Sequence, residues 1–161
     1  MRRILKTTLL LITLLFFIYC SFSENVITHN FDNGWKNKES VDFEFKKSSN
    51  ENNYDLYLIL RHNKNYSFSN IFIISKLKLL NEDEKIDTLE YILSEPNGKW
   101  KGKTKLSIVE HKLNFKKNIS LNGDGFNYLS LRNAMRLNNT ISPIQNLENV
   151  IDLGLLIEPV K

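Results

Sequence analysis

The chain has 161 residues, with 22 Lys plus Arg against 18 Asp plus Glu, 42% hydrophobic residues, three His and one Cys. That length suits a single domain that buries its own core without metal or disulfide staples, and one cysteine excludes an intrachain disulfide, a Cys-rich zinc site and a CxxC redox pair. The formal charge is +4, but Arg2, Arg3 and Lys6 precede the first apolar run; without them 19 basic residues face 18 acidic ones, too little asymmetry for nucleic-acid binding.

Met1 to Lys6 is basic and leads into an apolar stretch from Leu9 to Tyr19 broken only by Thr13. This has the layout of an export signal and is too short to span a bilayer comfortably. Cys20 follows directly, where a bacterial lipoprotein carries the thiol that is acylated and becomes the new N-terminus. Residues 1–19 therefore read as a lipoprotein-type signal peptide and 20–30 as a lipidated N-terminus and tether. Tyr19 is bulky where such a signal usually has a small residue, so an uncleaved anchor, or cleavage after Ser21 or Ser23, stays open. On the lipidation reading, acyl chains on Cys20 hold the domain at a membrane, each buried methylene contributing about 0.8 kcal/mol.

Residues 31–161 read as an all-β domain, in which short segments of alternating polarity are separated by Asn, Gly, Pro and Ser clusters. Val41 to Lys46 alternates, with Val41, Phe43 and Phe45 on one face. Tyr54 to Arg61 places Leu56, Leu58 and Leu60 on one side and Tyr57 and Ile59 on the other, as a central strand does. Asn70 to Leu80 is apolar on both faces at first, through Ile71, Phe72, Ile73 and Ile74, and then alternates. Further strands are Ile86 to Leu93, with Leu89 and Tyr91 inward; Lys105 to Phe115, bent near Glu110; Phe126 to Leu131; and Val150 to Glu158, with Leu153 and Leu155 inward. Only Leu131 to Arg136 suggests a helical turn. Asn33-Gly34, Pro96-Asn97-Gly98 and Gly123-Asp124-Gly125 supply turns. Seven or eight strands without crossover helices imply a single antiparallel two-sheet β-sandwich, jelly-roll or immunoglobulin-like.

Catalytic constellations are missing: there is no GxSxG, no phosphate loop and no HExxH, and Cys20 is assigned to lipid. His29, His62 and His111 have no metal-ligand spacing, so no metal or cofactor is expected, and His62 and His111 read as surface or strand-flank residues. Glu82-Asp83-Glu84-Lys85 reads as a charged hairpin tip. Asp87, Glu90 and Glu95 are the one carboxylate group that could act together. Asp87-Thr88-Leu89 matches a short O-glycosylation acceptor pattern, although its strand pattern suffices to explain it. Trp35 and Trp100, each just beyond an Asn-Gly pair, are either core rings or a sugar-binding platform. Tyr57, Ile59, Phe72 and Ile74 occupy second faces of strands whose first faces are already apolar, so they are candidates for a partner-docking patch.

Several collinear segments resemble the gliding-motility-associated lipoprotein family GldH. They are Phe31-Asp32-Asn33-Gly34-Trp35, Tyr54 to Arg61, Tyr66 to Phe72, Asp87 to Tyr91, Glu95-Pro96-Asn97-Gly98-Lys99-Trp100-Lys101-Gly102, Ala134-Met135-Arg136 and Asp152 to Glu158. The resemblance covers nearly the whole chain after Cys20. It implies a non-catalytic envelope lipoprotein, tied to gliding motility and type IX secretion, anchored to a bacterial membrane (the periplasmic face of the outer membrane) and partnered by other motility or secretion proteins. The alternative that the residues allow is an envelope glycan-binding β-sandwich.

Overall fold

The computed structural model describes residues 26–47, 53–121 and 123–160. Cys20 and the signal segment lie outside them. The described residues form eleven strands: β1 (Val26–Asn30), β2 (Trp35–Lys36), β3 (Val41–Phe45), β4 (Asn53–Asn63), β5 (Asn70–Lys78), β6 (Lys85–Ile92), β7 (Lys103–Lys105), β8 (Ile108–Ser120), β9 (Asn127–Asn133), β10 (Asn146–Leu147) and β11 (Val150–Pro159). They make three antiparallel sheets, ordered β1-β11-β4-β8-β7, β3-β9-β5-β6 and the small pair β10-β2. No described residue is helical. The architecture is all-β and sandwich-like, with the small third sheet added to the two expected.

Period-2 alternation explains the packing. Leu56, Leu58 and Leu60 of β4, Ile71, Ile73 and Leu77 of β5, Leu129 and Leu131 of β9, and Leu153 and Leu155 of β11 join one buried cluster with Trp35 and Leu147 of the small sheet. Phe43, Phe45, Leu113 and Phe115 are buried in it as expected, whereas Leu89 and Tyr91 are half-buried and pack against its margin because β6 is an edge strand. Tyr91 nevertheless bridges the two large sheets, its hydroxyl donating to the Asn114 carbonyl at 2.8 Å. Gly34 fixes how the small sheet docks: its φ is +82°, and a Cβ there would stand 2.4 Å from the Leu147 carbonyl oxygen.

Four expectations need correction. The tether ends early, because Val26–Asn30 pairs with β11 from Val26↔Leu156 to Asn30↔Asp152. Lys105 to Phe115 is divided: Leu106, at φ 53°, and Ser107 turn β7 back onto β8. The bend does not lie near Glu110, since β8 pairs regularly with β4 there, and the register shifts come where Leu56 meets Lys116 and Tyr54 meets Ile119. Leu131 to Arg136 makes no helical turn. β9 runs on to Asn133, and Arg136 bridges Pro143 in antiparallel fashion.

Candidate functional site

Alternation decides which side chains leave the core, and the two large sheets treat their outer faces differently. On the five-stranded sheet, β4 points Tyr57, Ile59 and Arg61 outward, opposite Asn114, Lys112 and Glu110 of β8 and Leu156, Gly154 and Asp152 of β11. Arg61 Nε donates to Glu110 at 2.7 Å and its Nη1 to Asp152 at 3.3 Å. Lys112 pairs with Glu158 and Lys117 with Asp55, at 2.6 and 2.8 Å. The two lysine ammonium groups also lie 4.0 and 4.1 Å from the Tyr57 ring centroid, and Lys117 contacts its hydroxyl. Ile59 and Leu156 on the same face are only 4% and 2% exposed, although they lie outside the main core. Asp152 is so enclosed that burial raises its carboxyl pKa despite Arg61 beside it.

The four-stranded sheet leaves its outer face open. Phe72, Ile74, Lys76 and Lys78 of β5 stand beside Arg132, Ser130 and Tyr128 of β9, with Ile86, Thr88 and Glu90 of β6 on the other side. Ile86 is 64% exposed, Ile92 51% and Tyr128 50%. Phe72 and Ile74 are half-buried, the first held by Met135, whose sulfur accepts the Phe72 N–H at 3.2 Å. Among the described residues, Lys76, Lys78 and Arg132 form no ion pair. Tyr57 with Ile59, and Phe72 with Ile74, therefore belong to the outer faces of different sheets and do not meet in one patch. Thr88 is exposed on edge strand β6.

Both tryptophans are built into the fold. Trp35 is fully buried, stacks on Phe31 at 5.3 Å and donates its indole N–H to the Glu39 carbonyl at 3.0 Å. Trp100 closes the Ser94–Trp100 hairpin and meets the His62 ring edge-on at 4.5 Å. A sugar platform needs an exposed indole, which Trp35 does not offer. A cleft of about 490 Å³ runs between Phe31–Gly34 and Asn146–Ile151. Its amides mostly serve one another: Asn63 donates to Asn149 at 2.7 Å, Asn149 to the Asn65 carbonyl at 3.2 Å and Asn146 to the Asn33 carbonyl at 2.7 Å.

His62 and His111 are buried, contrary to the surface reading, and face each other across β4 and β8 with Nε2 atoms 3.0 Å apart. His62 Nδ1 lies 2.7 Å from the Asn63 carbonyl, so the neutral ring donates there. Its Nε2 is then the acceptor and His111 the donor, one proton serving the pair. Burial lowers the pKa of both, that of His111 to about 4 with help from His62. The carboxylates have separate partners: Asp87 meets Lys116 at 3.4 Å between the sheets, Glu90 accepts from Asn70 at 2.8 Å on the outer face, and Glu95 accepts from Asn97 at 3.4 Å in the hairpin. Glu82 pairs with Lys85 at the β5–β6 tip, as its sequence suggests. No three His, Cys, Asp or Glu among the described residues gather as a metal site.

The sequence pattern missed the His62–His111 pair and the role of Arg61, since neither has a local signal. Two of the segments singled out by resemblance hold residues that lock the fold: Gly34 and Trp35 seat the small sheet, and Trp100 packs on the histidine pair. Residues 25–157 match the family model described as GldH lipoprotein. The chain belongs to the GldH lipoprotein family. A curated relative from Christiangramia forsetii, a gliding motility lipoprotein GldH homolog, is 31% identical over 158 residues, 98% of each chain. The gliding motility lipoprotein GldH of Flavobacterium johnsoniae is 31% identical over 124 residues, 77% of each chain. No solved structure matches. GldH membership makes this an envelope lipoprotein of the gliding-motility type, so its site is to be sought on the surface of a membrane-anchored domain.

Proposed function

We propose that the chain is a non-catalytic structural or accessory subunit of the gliding-motility and type IX secretion machinery, and that it docks envelope partners through the outer face of its four-stranded sheet. Acyl chains on Cys20 hold it at the periplasmic face of the outer membrane. The observation that carries the docking face is the contrast just described. Round β4 and β11 one outer face pairs its charges and covers Tyr57, Ile59 and Leu156, leaving only its β7 edge open, while the other presents Ile86, Ile92 and Tyr128 beside Phe72, Ile74 and unpaired cations. Exposed apolar groups among charges are what a protein partner can desolvate. A non-catalytic role is supported by the separate settings of Asp87, Glu90 and Glu95 and by the enclosure of the histidine pair.

The test is to replace Ile86 and Tyr128 together with Ser in the native host, then measure gliding, co-purification of envelope proteins and the thermal midpoint. Lost motility and partners at an unchanged midpoint support the docking face. Retained partners and motility would overturn it, and lost partners with lost stability would assign these residues to folding instead.

A further inference from the structure

Each large sheet ends on two edge strands, β1 and β7 in one and β3 and β6 in the other. Three of these are short: β1 and β3 have five residues each, and β7 has three, of which Lys103 and Lys105 are lysines. β6 has eight residues, pairs with β5 without a bulge, and contains no Lys, Pro or Gly from Ile86 to Ile92. Lysine, proline and bulges are what usually keep an open edge from pairing with a further strand, so β6 is unguarded. Its two carboxylates in that stretch are engaged within the domain, Asp87 by Lys116 and Glu90 by Asn70.

The main chain fixes which groups face outward. Phe72 of β5 turns both its polar groups away from β6: its N–H donates to the Met135 sulfur at 3.2 Å, and its carbonyl accepts the Ala134 N–H at 2.8 Å. Phe72 and Glu90 are therefore a non-hydrogen-bonded pair, and by alternation Ile86, Thr88, Glu90 and Ile92 direct their N–H and C=O groups off the sheet. No described strand lies on that side. The exposed isoleucines, Ile86 and Ile92, stand at the two ends of this row.

That spacing is self-complementary. When a second β6 lies antiparallel with Ile86 opposite Ile92, Thr88 falls opposite Glu90 and Leu89 opposite Leu89 on a two-fold axis. All four outward residues then pair, each pair exchanging two hydrogen bonds. Isoleucine meets isoleucine on the outer face and leucine meets leucine on the inner one, and no charged residue stands directly opposite its like. A slip of two residues either way sets Thr88 against Thr88 or Glu90 against Glu90 and separates the isoleucines.

We infer that two copies of this chain pair through β6 in that register and join their four-stranded sheets into one. A single strand pair is a small interface, so the association is reversible and is favoured where copies are concentrated on a membrane. It needs neither the docking face nor the acylation of Cys20. On the acylation reading, the axis stands perpendicular to the joined sheet, so both lipids reach one leaflet when the five-stranded sheets, which carry β1 and the tether, face it.

The test is thiol cross-linking of the full chain in uncharged detergent with a short bismaleimide. Ile86→Cys and Ile92→Cys combined in one chain give a covalent dimer, because the two positions face each other across the interface at about 5.5 Å between Cα atoms. Either substitution alone stays at the Cys20 background of the wild type, since its cysteine then faces an isoleucine. Amide exchange of the wild type, resolved by residue, gives an answer without substitutions: the Ile86, Thr88, Glu90 and Ile92 amides slow at least about tenfold as the protein is concentrated. Single variants that cross-link as well as the double, a folded double variant that forms no dimer, or outward amides that exchange equally fast at every concentration would overturn the inference.

Discussion

The two outer faces of the molecule solve the same problem in opposite ways. β4 is central and must bury Leu56, Leu58 and Leu60 inward, yet it also carries Tyr57 and Ile59 outward. The five-stranded sheet closes that second side round β4 with its own side chains: lysine stems and ammonium groups lie over the tyrosine, and carboxylates answer Arg61, Lys112 and Lys117, while Lys103 and Lys105 of edge strand β7 stay exposed. The four-stranded sheet has a similar apolar second side in Phe72 and Ile74 but only partial cover and no ion-pair lattice. A second apolar face is thus not in itself a docking surface. Both faces carry both signs, since Asp42, Glu44 and Glu90 share the open face with Lys76 and Lys78; what decides it is whether register brings the opposite charges into ion-pair distance.

The comparison can be broken most severely at Ile59. If the five-stranded face is sealed structure, Ile59→Asp buries an unpaired charge and lowers unfolding free energy by more than about 3 kcal/mol, measured by urea denaturation. A shift below about 1 kcal/mol would show the cover to be loose. Arg61→Ala comes next, because it leaves the enclosed Asp152 carboxylate without its cation; a loss of about 2 kcal/mol is expected at pH 7, shrinking towards pH 4 as Asp152 protonates.

The interior side of β4 supplies a pH test. His62 and His111 have folded pKa values below the ordinary 6.5, that of His111 about 4. Between those values the unfolded chain binds more protons, so stability is full above pH 6.5 and falls as pH drops towards 4, by on the order of 2 kcal/mol. Replacing His111 with Gln should flatten that slope; an unchanged slope would place its origin elsewhere. Smallest is Ile86→Ser on the open face, which should shift stability by no more than about 0.5 kcal/mol. A larger loss would mean that this face is packed after all.

Strands with a clean alternation were legible without coordinates. β3, β4, β5 and β11 carry their apolar residues at every second position, and their limits were found to within a few residues. β1 escaped because an edge strand buries little, so its residues show no period. The β7–β8 turn escaped because Leu106 adopts a positive φ that sequence rules reserve for Gly, Asn and Asp. Surface chemistry was harder still. Tyr57 and Phe72 look alike in sequence, and only the pairing of Tyr57 with Asn114 and Leu156, and of Phe72 with Glu90, separates a closed face from an open one.

The contact of Trp100 with His62 also makes the molecule its own optical reporter. The chain has two indoles, and Trp100 is the one set against the buried imidazole pair, 4.5 Å from His62 and 6.4 Å from His111. An imidazolium quenches indole emission by accepting an electron from the excited ring, whereas neutral imidazole does so weakly. Emission from Trp100 should therefore dim as the pair protonates, before the hairpin at Ser94–Trp100 opens and the spectrum moves to the red, so two successive optical changes would separate proton uptake from unfolding in a single acid titration.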